Sequence, residues 1–204
     1  MELFIAVLAS IISIVNPLGG VSIFLSLTQG YSKSQILKTS LHTSFYFFLI
    51  LFGFFIGGYW ILSFFGISIE SIMIAGGLVI FISGLSLLQG KLARGRAVDQ
   101  KVRKEAMDSS DIAFSPMAMP MLAGPGSISL LISLHSEYPD WTNRLIIIGV
   151  IVCASLIVYV HLRFSNLFFK ILGEAGIRGV SRIMGFIVMA IGVQYVLNGV
   201  KSLL

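Results

Sequence analysis

Six uncharged runs, residues 3–32, 39–69, 71–90, 112–136, 145–162 and 183–200, lie between the charged residues of this chain. Each approaches the roughly 20 residues needed to cross about 30 Å of hydrocarbon, the last two falling slightly short. With 56% hydrophobic and 11% charged residues, no soluble domain of this length could hide so much apolar surface. The expected fold is therefore an all-α membrane protein with six transmembrane helices. The first run outlasts a signal-peptide core, and Met1-Glu2-Leu3 supplies no basic start, so it reads as a retained span. Residues 164–169 either extend the fifth run past Arg163 or form an interfacial helix.

Charge between the runs orients them. Lys33 and Lys38 follow run one. Lys91, Arg94, Arg96, Lys101, Arg103 and Lys104 follow run three, and Arg163, Lys170, Arg178 and Arg182 follow run five. Only Arg144 and Lys201 lie on the other side. Twelve of the fourteen Lys and Arg thus mark one face as cytoplasmic, which puts both termini outside, in the extracellular or periplasmic space of a cell (inner or plasma) membrane protein. The net charge of +5 belongs to these loops and does not indicate a nucleic-acid partner. The single Cys153 excludes an internal disulfide framework.

The hydrophilic stretch 91–111 divides the chain into a first three-helix unit, 1–90, and a second, 112–204, within one integral membrane domain. It reads more strongly as a solvated basic linker than as an anionic-lipid site, with Ser109, Ser110 and Asp111 capping the next span. The halves echo each other. At an offset of 107, Gly19, Ser22, Ser26, Leu27 and Tyr31 fall on Gly126, Ser129, Ser133, Leu134 and Tyr138. At an offset of 109, Gly76, Val79, Ile82, Leu88 and Gly90 fall on Gly185, Val188, Ile191, Leu197 and Gly199. Three spans per half force opposite orientations, so the expectation is an inverted 3+3 repeat.

Two runs carry breaks near their middles: Asn16-Pro17-Leu18-Gly19-Gly20 in the first and Gly124-Pro125-Gly126-Ser127 in the fourth. Proline removes a backbone donor and glycine gives up backbone order. In hydrocarbon such a break survives only inside protein or beside a wet cavity. Asn16 before Pro17, and Gly124 before Pro125, read as N-caps of second half-helices starting near the bilayer centre. Helices 1 and 4 are thus expected to be broken. The freed N–H groups, at Gly19–Gly20 and Gly126–Ser127, suit a carboxylate; the preceding carbonyls suit an ammonium group or Na⁺. Asn16, Ser22, Ser127 and Ser129 add uncharged polar groups. The substrate-binding set is therefore Asn16, Pro17, Gly19, Gly20, Ser22, Gly124, Pro125, Gly126, Ser127 and Ser129. The competing reading is a pair of packing kinks.

No charged side chain lies centrally in any run, so a neutral or zwitterionic small solute is expected rather than a charged one. No cofactor or metal is expected, and coupling to Na⁺ or H⁺ stays open, as does a homo-oligomer. His42 and His161 lie toward the cytoplasmic face and His135 toward the outer, too far apart to share a metal. Ser127 and His135 are eight residues apart, about 12 Å along a helix, which disfavours a hydrolase. Gly53, Gly57, Gly58, Gly76, Gly77 and Gly185 read as helix-packing positions. Tyr59, Trp60, Tyr138 and Trp141 read as an outer aromatic belt.

Asn16-Pro17-Leu18-Gly19-Gly20 followed by Phe24-Leu25-Ser26-Leu27-Thr28, then Ile74-Ala75-Gly76-Gly77, Asp111-Ile112-Ala113, Pro116, Pro120, Leu122-Ala123-Gly124-Pro125-Gly126 and Arg182-Ile183-Met184-Gly185, together resemble the MarC family over essentially the whole chain. That resemblance implies a six-span inner-membrane protein of bacteria or archaea. It also implies a grouping with small neutral amino-acid transporters and, more distantly, lysine exporters. Where the family often carries an acid after the span-three glycines, this chain has Ser86, which bears on coupling. The expected function is a secondary transporter of small neutral amino acids such as alanine, glycine or threonine, working by alternating access and not an enzyme. A non-transporting membrane scaffold, or an exporter of another small solute, is the alternative.

Overall fold

A computed structural model describes residues 1–90 and 112–203; the linker 91–111, its capping residues Ser109, Ser110 and Asp111, and Leu204 lie outside the described residues. Seven helices run α1 (Glu2–Val15), α2 (Pro17–Leu27), α3 (Lys33–Phe65), α4 (Ile69–Leu88), α5 (Pro125–Glu137), α6 (Trp141–Arg163) and α7 (Ser165–Lys201). Five spans are long and apolar enough to cross a membrane: Glu2–Leu27 as one gently broken unit, then α3, α4, α6 and α7. Ala113–Leu122 joined to α5, with a bend of 67°, makes a sixth candidate if the bent pair counts as one span.

Local chemistry sets the ends. Ser32 and Gln35 close a reciprocal cap on α3: the Ser32 N–H donates to Gln35 Oε1 at 2.8 Å and the Gln35 N–H to Ser32 Oγ at 3.3 Å. Gly66, at φ 64°, stops α3 in a left-handed turn that a Cβ would resist. Asp140 caps α6 by accepting the Asn143 N–H at 3.0 Å, and that bond holds its carboxyl below the usual range. Beyond α6, Phe164 turns the chain, so residues 165–172 do not extend that span; they form a separate helical stretch up to Gly173 (φ 63°, ψ 176°), with Leu167, Phe169 and Ile171 exposed.

The main core is built from α1, α2, α3, α5, α6 and the segment 113–122, around Phe24, Phe47, Phe55, Leu131 and Ile151. α4 and α7 form the most extensive helix pair and flank this core. They pack antiparallel through glycine. A methyl at Gly77 would lie 2.7 Å from the Gly192 carbonyl oxygen, one at Gly84 2.7 Å from that of Gly185, and one at Gly199 3.1 Å from that of Glu70. Three contacts seven residues apart on each helix leave backbone against backbone, as small residues allow in membranes. Several of the other contacts come in matched sets. α4 lies on α5 and α7 on α2; α3 lies on α5 and on 113–122, while α6 lies on α2 and α1.

The glycines of α3 divide. Gly58 is filled by Ile132, but around Gly53 and Gly57 there is open space, so those two are not packing positions among the described residues. Trp60, Tyr59 and Trp141 are exposed, as a surface belt requires, whereas Tyr138 packs on the core. Gly192→Ala should therefore destabilise by about 1–3 kcal/mol through overpacking. Gly53→Ala should be neutral or stabilise by up to about 1 kcal/mol, since it removes a mid-helix glycine into empty space. Thermal melting in detergent compares them directly.

Candidate functional site

At the first break Asn16 is 4% exposed and adopts a left-handed backbone, φ 46° and ψ 64°, which of the non-glycine residues asparagine tolerates best. That single turn lets α1 end and α2 begin without separating them. The Asn16 N–H donates to the Ile12 carbonyl at 2.9 Å and the Gly20 N–H to the Asn16 carbonyl at 3.2 Å. The Asn16 side chain accepts the Gly19 N–H at 3.2 Å. The expectation that the Gly19 and Gly20 amides stand open is thus corrected: Asn16 satisfies both, because its side chain reaches its own N3 position as an N-cap does.

The second break differs more. Only its second half is helical. Ser115 (φ −125°, ψ 125°) and Met119 (φ −130°, ψ 129°) are extended, each before a cis peptide to Pro116 or Pro120. A proline forces its predecessor out of the helical region and cannot donate, and two of them four residues apart prevent a regular first half. What forms is a compact coil in which the Met117 N–H reaches the Ile112 carbonyl at 3.3 Å and the Ala123 N–H that of Ala118 at 2.8 Å. The expected half-helix ending in free carbonyls is therefore absent from span four. Tyr46 of α3 braces the coil edge-on to Phe114, 5.4 Å between centroids.

α5 begins as expected, with Gly124 extended at φ −81°, ψ 170° and Pro125 at the first helical position. The Ser127 hydroxyl donates to the Gly124 carbonyl at 2.9 Å, and the Ile128 N–H to the same oxygen at 3.2 Å. The N–H groups of Gly126 and Ser127 have no hydrogen-bond partner among the described residues, and both residues are buried. Buried orphan amides are rare, and each costs about 1–3 kcal/mol.

The breaks meet. A methyl at Gly20 would lie 3.5 Å from Leu122, and one at Gly126 3.5 Å from Ile14 of α1 and 2.9 Å from Ile80 of α4. The structure therefore gathers Asn16, Pro17, Gly19, Gly20, Gly124, Gly126 and Ser127 in the interior. Pro125 is exposed, Ser22 is half-buried on α2, and Ser129 lies a turn along α5, pressed on Gly76. Sequence reasoning missed Ile14, Ile80, Leu122 and Ser181. Ser181 of α7 has its hydroxyl 3.2 Å from where a Gly19 methyl would sit, beside the Asn16 amide. It falls outside run six, which starts at Ile183 after Arg182, whereas α7 begins at Ser165.

The C-terminal end of α5 is tied down by Arg144, whose Nε donates to the Tyr138 carbonyl at 3.2 Å and whose guanidinium reaches that of His135 at 3.5 Å. Burial, then the neighbouring Glu137 carboxylate, pushes the Tyr138 phenol above its ordinary range. His135 packs on Phe55 and His161 stacks on Phe168. No metal-ligating cluster occurs among the described residues. Ser86 donates to the Ile82 carbonyl at 2.9 Å.

Asn16→Ala loses both the cap and the left-handed tolerance, about 2 kcal/mol together, while Asn16→Gly keeps the turn and should cost only about a few tenths. Denaturation of the two variants in matched detergent should reproduce that order.

Comparison with known proteins supplies the broader setting. Residues 1–204 match the family described as MarC family integral membrane protein. The chain is 35% identical over 204 residues to a UPF0056 membrane protein of Methanocaldococcus jannaschii, covering 100% of this chain and 98% of that one. It is 34% identical over 202 residues to a UPF0056 membrane protein of Aquifex aeolicus (99% and 94% covered). It is 32% identical over 216 residues to the UPF0056 inner membrane protein MarC of Citrobacter koseri (100% and 98% covered). No solved structure matches.

Proposed function

This chain belongs to the MarC family of integral membrane proteins, and on that premise we propose that it is a secondary transporter of small neutral amino acids whose site is the paired break at mid-membrane. The carrying observation is the pair of buried, unpartnered amides at Gly126 and Ser127 beside the Asn16–Gly20 break. A helix N-terminus with free N–H groups takes a carboxylate. The Asn16 amide and Ser181 hydroxyl add neutral partners, and none of the residues gathered there is charged, which fits a zwitterion rather than a fixed ion. The matched packing of α4 on α5 and α7 on α2 supports an inverted 3+3 repeat, with α1–α7 as a contact that lacks its counterpart. The protein acts without catalysis or cofactor, drawing on a Na⁺ or H⁺ gradient.

A second reading, a non-transporting scaffold, draws on Ile80 and Ile14 filling the space before Gly126. Purified protein in liposomes separates the two. Labelled alanine, glycine and threonine are offered with Na⁺ and pH gradients of either sign. Wild type should accumulate at least one of them. Asn16→Gly, which keeps the turn, should lose roughly ten- to a hundred-fold in apparent affinity, the worth of about 1.5–3 kcal/mol for a charge-assisted bond. A scaffold predicts no uptake under any gradient.

The charge asymmetry carries a topology with it. Reporters fused after Leu204 and within 91–111 should lie on opposite sides of the membrane, the linker inside. A cytoplasmic C-terminus would remove the inverted repeat and the orientation together.

A further inference from the structure

We propose that the outer half of the solute's path runs along the face that α5 turns toward α4, lined by Ser129, Ser133 and Ser136 and shut in this structure where Ser129 meets Gly76. This rests on the transport reading and on the outer placement of the α5 C-terminus.

At 3.6 residues per turn Gly126, Ser129, Ser133 and Ser136 fall within an arc of about 80°. Two contacts identify what that arc faces: Gly126 against Ile80, and Ser129 against Gly76, both on α4. Past Ser136 the surface of α5 turns toward α3, with Ile132 on Gly58 and His135 on Phe55. The serine face is thus a seam between α5 and α4.

Hydroxyls in this protein ordinarily satisfy themselves. Ser10, Thr28, Ser40, Ser44, Ser86 and Ser155 each donate to the carbonyl four residues back. Ser133 and Ser136 forgo that bond: both Oγ atoms are buried without a partner, and Ser133 is only 1% exposed. Thr43 on α3 and Ser165 on α7 also leave their hydroxyls buried and unbonded among the described residues, but Ser133 and Ser136 alone share the arc of α5 that holds Gly126 and Ser129. In hydrocarbon an unbonded hydroxyl costs free energy unless water or a solute takes the bond.

The antiparallel register that sets Gly126 opposite Ile80 and Ser129 opposite Gly76 brings the first turn of α4, with Glu70, level with Ser136. The mouth therefore carries the Glu70 carboxylate together with the Arg144 guanidinium tied to the end of α5, charges of both signs that suit a zwitterion. Inward of Ser133 the route is closed by packing: Ser129 fills the space at Gly76, and Ile80 fills that at Gly126. Those contacts form the outer gate, and parting α4 from α5 there would join the seam to the orphan amides of Gly126 and Ser127.

Single cysteines at Ser129, Ser133, Ser136 and the core position Leu130, each with Cys153→Ser, are exposed to a membrane-impermeant cationic methanethiosulfonate on right-side-out vesicles. Ser133 and Ser136 should be modified at least ten-fold faster than Leu130 and Ser129. Equal inertness, or modification only from the cytoplasmic side, overturns the proposal. Ser133→Ala supplies a second readout, because deleting an unpaired hydroxyl from a dry seam raises the melting temperature, whereas a hydrated one leaves it unchanged. A rise overturns the proposal. Labelling as expected without amino-acid uptake would retain the seam and reject the transport reading; uptake without labelling would do the reverse.

Discussion

A backbone group in hydrocarbon has no water to turn to, and the two broken spans of this protein meet that demand in different ways. The first break solves it almost within one residue. Asn16 turns left-handed, and its carbonyl and side chain between them take the Gly20 and Gly19 N–H groups. The second cannot, because Pro116 and Pro120 remove donors four residues apart. It folds instead into a coil with wider hydrogen-bonded turns, enclosed by α3 and by the rest of the core. What remains unsatisfied, the amides of Gly126 and Ser127, lies where the two breaks touch.

The α4–α7 pair bounds this region. Glycines spaced by seven let the two helices approach to backbone contact, so their relative position is set by main chain and not by side chains that can repack. Ile80 and Gly76 carry that rigid pair onto α5, while Ser181 of α7 carries it onto the first break. A movement of the pair against the core would thus change both breaks at once, which is the coupling that alternating access needs.

Much of this was legible in the residues. The apolar runs predicted the spans because hydrocarbon thickness leaves little freedom in length, and Asn16-Pro17 and Gly124-Pro125 predicted their caps because few residues serve there. Three things were not legible. Run boundaries taken from charged residues hid Ser181, since α7 starts eighteen residues before run six and bends at Gly173. The prolines of span four were visible, but a pattern of apolarity cannot tell a helix from a coil of the same length. Gly53 and Gly57 have the spacing of a packing motif, yet spacing alone does not say which face meets a neighbour, and theirs meets none among the described residues.

The central claim is that solute crosses where the breaks touch and that they must part for it to do so. Cysteines at Gly20 and Leu122, in a Cys153→Ser background, place one thiol on each break at positions in van der Waals contact. The measurement is amino-acid uptake by liposomes before cross-linking the pair with a short reversible thiol reagent, while linked, and after release. The account predicts uptake that falls to background when linked and returns on release. Unchanged uptake in fully cross-linked protein would contradict it.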